Sequence, residues 1–135
     1  NAFMGTTFNG CARAAYELAL DYAKTRVQGG VPIIQHQSVK ARIFKMFMQV
    51  EAARSLSRRV VYYNSSNMPL LQYSIASKVF STTTAFEVAS QALQIFGGNG
   101  LTRDFPIEKI MRDARASMIE DGCNDLLSLL GATQL

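Results

Sequence analysis

The chain has no tryptophan, a single histidine, two cysteines and three prolines. His36 stands alone, and Cys11 and Cys123 lie far apart. No Cys/His set has metal-ligand spacing, which argues against zinc and against a disulfide framework. Two free thiols suit a reducing compartment. No apolar run approaches the roughly 18–20 residues a bilayer span needs. The N-terminus lacks the basic start and apolar middle of a signal peptide, so a cytoplasmic protein without a membrane span is expected. A period-two pattern is absent throughout, so no strand is predicted, and there are no internal repeats or low-complexity tracts. What remains is 135 residues, 48% hydrophobic, with mean hydropathy +0.05. That suits one domain with one buried core and excludes a disordered tail. The chain opens in NAFMGTTFNG without an initiator Met and stops in LLGATQL with its last apolar stretch hardly begun, which reads as a piece of something longer. Asn64-Ser65-Ser66 matches a glycosylation acceptor by spelling only.

Helical periodicity fills the chain. Phe8, Cys11, Ala12, Ala15, Leu18, Ala19 and Tyr22 recur at three and four, with Arg13, Glu17, Asp21 and Lys24 between them, and predict a first amphipathic helix closed by Gly29-Gly30 before Pro32. Ser38 is the expected cap of a second helix reaching about Tyr63, with Val39, Ile43, Met46, Phe47, Val50 and Ala53 as its inner stripe. Phe44 and Met48 fall on the opposite face. A helix apolar on two sides calls for a second partner, unless these two are ordinary surface scatter. A polar turn over 64–69 returns the chain antiparallel into a long third helix on Leu71, Ile75, Val79, Thr82, Phe86, Ala89, Leu93 and Phe96. Gly97-Gly98-Asn99-Gly100 stops it. Asp104 and Pro106 restart a helix through Ile107, Ile110, Met111 and Ala114. After Gly122, Cys123 or Asn124 starts a short helix on Leu126, Leu127, Leu129 and Leu130. The expected fold is all-α: an up-down four-helix bundle with a short extra C-terminal helix.

Charge is uneven under a net +4. Residues 1–80 hold ten Lys/Arg against three Asp/Glu, and residues 81–135 hold four against seven. A basic half can be solvated helix faces, or it can meet phosphates. Three places are unusual for a plain bundle. The run 94–100 packs three glycines into four residues, exposing backbone N–H groups to a phosphate or carbonyl, though a helix cap plus turn also explains it. It is neither a dinucleotide GxGxxG nor a phosphate loop, because no strand precedes it and no Lys-Ser/Thr follows. The loop from Arg26 to Gln37 begins on a guanidinium, which can bind a diphosphate or satisfy the end of a helix dipole. Glu120-Asp121-Gly122 sets two carboxylates in a helix break between Ile119 and Cys123. Held among apolar groups, a carboxylate gains a raised pKa and can serve as a general base; solvated acids at a helix start are the plainer reading.

Together these places resemble the C-terminal helical domain of the acyl-CoA dehydrogenases. Gln94, Gly97, Gly98, Gly100, Leu101, Asp104, Lys109 and Asp113 are spaced as in one of that family's signatures, continued by Arg112-Asp113-Ala114-Arg115. Arg26, Gly30, Pro32, Ile33 and Gln37 are similar to the family's earlier loop. The likeness covers nearly the whole chain, with matching helix order.

The resemblance implies an FAD enzyme that takes a proton from the α carbon of an acyl-CoA while hydride leaves the β carbon for the flavin, with electrons passing to an electron-transferring flavoprotein. It implies that residues 1–135 are one domain of a larger enzyme whose N-terminal α and middle β domains are absent here, and that the protein is a homodimer or homotetramer. Arg26, Gln28, Gln37, Gln94, Gly97 and Gly98 would contact the FAD of a neighbouring subunit, with Cys123 and Asp125 as further cofactor contacts. No metal is implied. Many members carry the catalytic Glu directly before a Gly-Thr. Here Asp121 takes that position and its carboxylate stops roughly 1.5 Å short, while Glu120 is longer but projects elsewhere. Cys123 stands where Thr is usual and Asp125 where Gln is common. Some members draw the base from the start of the first helix, at or before Asn1. Two other readings stand beside this one: a non-catalytic relative used for oligomerisation or flavin binding, and a nucleic-acid-binding bundle using Lys40, Arg42, Lys45, Arg54, Arg58 and Arg59. The last is weakened by the scatter of these residues around their helix.

Overall fold

A computed structural model describes residues 2–135. Helix α1 (Ala2–Thr25) buries Phe8, Ala12, Ala15, Ala19 and Ala23, a three-and-four stripe of small side chains. Small residues let helices approach closely. At Gly5 an added Cβ would lie 2.8 Å from Ser77 Oγ and 3.0 Å from the Ser77 carbonyl oxygen, so only glycine fits this crossing.

The chain then departs from expectation. Helix α1 ends at Thr25, and Gly29-Gly30 do not close it. They form the turn of a small antiparallel hairpin, β1 (Val27–Gln28) with β2 (Val31–Pro32), pairing Val27 with Pro32 and Gln28 with Val31. Both glycines have positive φ, +64° and +81°, the backbone that a two-residue hairpin turn of the right twist demands. Strands of two residues leave no periodicity to read.

A 3-10 turn over Ile33–Gln35 leads into α2 (Gln37–Ser66). Ser38 is not its cap: the helix starts at Gln37, with His36 as the flanking residue and no side-chain capping bond. His36 Nε2 instead donates to the Gln28 carbonyl at 3.0 Å, stapling the hairpin to the helix start. Helix α2 also runs three residues past Tyr63, and the connecting turn is 67–70. Ile43, Met46, Val50 and Ala53 are buried as expected, whereas Phe47 is 42% exposed and joins Phe44 and Met48 on the outer surface.

Helix α3 (Leu71–Phe96) is the hub, packed against α1, α2, α4 (Ile107–Ser117) and α5 (Asn124–Ala132). With neighbours on so many sides it buries more than one stripe: Ser74, Ser77, Lys78, Ser81 and Thr84 are enclosed with Ile75, Ala85, Val88, Ala89 and Ala92, while Leu71 stays exposed. Serine, threonine and alanine, small enough for close helix contacts, supply most of that surface. Met46, Val88 and Ile107 are almost fully enclosed, each side chain contributing about 1.5–3 kcal/mol through burial. The fold is the expected all-α bundle of four main helices plus a short C-terminal one.

Candidate functional site

Two parts of the molecule gather the residues singled out by sequence. The first is a cleft of about 200 Å³ lined by Tyr22, Arg26, Gln28, Gln94–Phe96, Gly97, Gly98 and Asn99. The folding of two distant loops builds it. Tyr22, in the last turns of α1, stacks on Phe96 at the end of α3 with ring centroids 4.2 Å apart, and Phe105 closes edge-on against both. The Tyr22 hydroxyl accepts a 2.9 Å hydrogen bond from Asn99 Nδ2. This aromatic joint brings the glycine corner beside the hairpin.

Arg26 is pinned through its backbone, its N–H donating to Tyr22 and its carbonyl accepting from Ile33, both at 2.8 Å. Its side chain is exposed. Gly97 (φ +61°) and Gly98 present open backbone, since a Cβ added at either would meet nothing within 4 Å among the described residues. Gly100 differs: its Cβ would lie 2.9 Å from the Leu93 carbonyl oxygen, so that glycine serves packing.

A guanidinium, two carboxamides and bare backbone make a donor set suited to a phosphorylated ligand. Arg26, Gln28, Gln94, Gly97 and Gly98 are therefore brought together. Gln37, exposed in the first turn of α2, does not line this cleft.

The second part is the corner between α4 and α5. The end of α4 tightens, with Ile119 and Glu120 both donating their backbone N–H to the Ala116 carbonyl, and the Asn124 N–H closes the loop onto Met118 at 2.9 Å. Asp121 (φ +54°) and Gly122 (φ +88°) are consecutive left-handed residues that reverse the chain. Aspartate is among the few side chains that tolerate this conformation. Ile119, Glu120 and Asp121 are all exposed, so the apolar enclosure expected around the carboxylates is not formed within this domain. Cys123 flanks the start of α5, and Asp125 lies exposed in its first turn. A base at or before Asn1 lies outside the described residues.

Sequence reasoning missed what holds this corner. Lys78 of α3 is completely enclosed, and its Nζ donates to the Gly122 carbonyl (2.8 Å) and to Asn124 Oδ1 (2.9 Å). Asn124 Nδ2 donates in turn to Thr82 Oγ1 at 2.9 Å. Burial pushes the Lys78 pKa below the ordinary lysine value, against the pull of Asp121 and Glu120. A signal was present: Lys78 falls three residues after Ile75 and four before Thr82, on the stripe predicted to face inward.

The two parts occupy different stretches of α3. From Thr82 to Gln94 the helix rises about 18 Å, so the corner and the cleft do not share one ligand group. Of the six basic residues considered for nucleic acid, Arg42 donates to Gln91, Arg54 pairs with Glu51 at 2.7 Å, and Arg59 lies over the Tyr73 ring at 5.1 Å. No described helix is long and apolar enough to cross a membrane.

A cleft lined by polar groups at one end of the central helix and a carboxylate-bearing corner farther along are the two candidate sites of this helical bundle domain. The model of the family described as acyl-CoA dehydrogenase, C-terminal domain, matches residues 3–135, and the chain belongs to that family. It is 36% identical to an acyl-CoA dehydrogenase of Bacillus subtilis (strain 168) over 121 residues, 90% of this chain and 32% of the relative. Butyryl-CoA dehydrogenase from Megasphaera elsdenii superposes with a TM-score of 0.95 at 31% identity, over 98% of this chain and 34% of that one. PigA, solved as an FAD complex, superposes with a TM-score of 0.90 at 27% identity, over 96% and 34% of the two chains. The chain thus spans about a third of the length of the relatives it matches.

Proposed function

We propose that this chain is the C-terminal domain of an FAD-dependent acyl-CoA dehydrogenase that introduces an α,β double bond into an acyl-CoA thioester, the rest of the enzyme being an N-terminal α and a middle β domain. The observation that carries this reading is the cleft: residues 66 or more positions apart, Arg26 and Gln28 on one side and Gln94, Gly97 and Gly98 on the other, meet around open backbone. Arg26 would neutralise a diphosphate, the two glutamines would supply directional hydrogen bonds, and Gly97 and Gly98 would admit the cofactor close to the main chain. The partner holding that FAD is a second subunit, in a homodimer or homotetramer. Gln37, Cys123 and Asp125 are assigned as further FAD contacts, outside this cleft.

When bound, FAD supplies the acceptor for the hydride leaving the β carbon. The work of this chain is the proton. Asp121, with Glu120 as the alternative, takes it from the α carbon onto a carboxylate oxygen, and the C–H electron pair becomes part of the new double bond. An electron-transferring flavoprotein then receives the electrons. With only part of an FAD site and at most one catalytic group, the 135-residue chain alone is expected to be inactive.

In the full-length, FAD-loaded enzyme, Asp121→Asn keeps the shape but cannot accept the proton. Its turnover is expected to fall about 10²–10⁴-fold. A second reading, a non-catalytic relative that keeps the bundle for assembly or flavin binding, draws on Asp121 and Cys123 standing where Glu and Thr are usual. Unchanged activity in Asp121→Asn would favour it, and a full-length protein that cannot be loaded with FAD would sink the dehydrogenase reading.

A further inference from the structure

We infer that Lys78 is a positioning residue for the carboxylate at 121, an inference that rests on reading Asp121 as the base. Its ammonium, enclosed in α3, holds the carbonyl of the very next residue, Gly122, and the side chain of Asn124. Asp121 projects from a left-handed turn on the surface. Beside the backbone bond from Asn124 to Met118, three side-chain bonds grip the turn from beneath: Lys78 to Gly122, Lys78 to Asn124 and Asn124 to Thr82.

Packing reinforces them, because a Cβ at Gly122 would fall 3.2 Å from Leu127 Cδ2, leaving the turn pressed against α5. Lysine is an expensive way to fill the interior of a helical bundle, since a buried ammonium must recover its lost hydration from protein acceptors. A methionine would fill similar space at lower cost, and what it could not do is grip a carbonyl. The burial-driven fall in the Lys78 pKa, opposed by Asp121 and Glu120, is the electrostatic signature of the same arrangement. Because Asp is one methylene shorter than Glu, the turn bearing it has less tolerance for drift, and a misplacement of about 1 Å can cost on the order of 100-fold in rate.

The test uses the full-length, FAD-loaded enzyme and its Lys78→Met variant, with Asn124→Ser as the milder variant should Lys78→Met fail to fold. Two readouts are taken. Hydrogen exchange across residues 118–126 is expected to rise about tenfold with exchange across 94–100 unchanged. The single-turnover rate of flavin reduction by an acyl-CoA, per bound flavin, is expected to fall about 10–100-fold with KM within about twofold. A merely structural lysine would lower the fraction of enzyme carrying FAD but leave the rate per bound flavin intact, and that result overturns the inference, as does unchanged exchange at 118–126. Failure of the base assignment is read separately, from unchanged turnover in Asp121→Asn, because exchange reports the clamp without reference to catalysis.

Discussion

Gly100 and Gly97 lie three residues apart and do opposite work. At Gly100 the interior leaves no room, with Leu93 and Phe96 atoms within 2.9–3.1 Å of a Cβ. Gly100→Ala should destabilise the domain by about 1–3 kcal/mol, seen as a lower urea midpoint at unchanged slope. At Gly98 there is space, so Gly98→Ala should leave stability nearly intact while weakening FAD retention by the full-length enzyme, measured by equilibrium dialysis. The glycine run was legible in the sequence, but its division of labour was not, because adjacent glycines look alike until their neighbours are in place. Lys78 shows the converse. Its inward register was readable, whereas its partners Gly122 and Asn124, 44 and 46 residues away, could only be supplied by the fold.

At the scale of the element, α4 carries Glu108 and Arg112 one turn apart, bonded at 2.8 and 3.1 Å. The Arg112 hydrogen bond holds the Glu108 pKa below the ordinary carboxylate value. A lowered folded pKa contributes stability that is present above the unfolded value of 4.5 and lost as pH falls through the folded one. Glu108→Gln should therefore be slightly less stable than the parent near neutral pH and indistinguishable from it in strong acid, by thermal unfolding across pH. Helices α1 to α4 were legible because each repeats apolar residues at three and four over several turns. The hairpin was not, since two-residue strands have no period and Gly29-Gly30 suits a helix end as well as a turn. The bounds of α2 slipped because Asn64, Ser65 and Ser66 are turn-forming types that the helix nonetheless incorporates, Asn64 bonding Ser74 across to α3 at 3.2 Å.

In the whole molecule, exposed apolar side chains occur on most elements, and three of them fall together on α2. Phe44, Phe47 and Met48 share the outer surface of α2, and Phe44 stacks beside Phe47 at 6.0 Å. An apolar face of this kind on one helix suits a second subunit. The double variant Phe44→Glu/Met48→Glu should shift the full-length protein towards monomer in sedimentation velocity and, because the cleft is assigned to a neighbour's cofactor, release FAD in parallel. The architecture and the cleft residues were largely readable before folding. The environment of Asp121 was not, since the apolar neighbours Ile119 and Cys123 suggest an enclosure that the folded chain does not form, leaving the corner exposed. The most direct measurement is anaerobic addition of an acyl-CoA to the full-length, FAD-loaded enzyme, followed by visible absorbance. The flavin should bleach in the parent enzyme and do so at least about 100-fold more slowly in Asp121→Asn. Flavin that stays oxidised with every acyl-CoA offered, or bleaching at the parental rate in Asp121→Asn, would contradict the account.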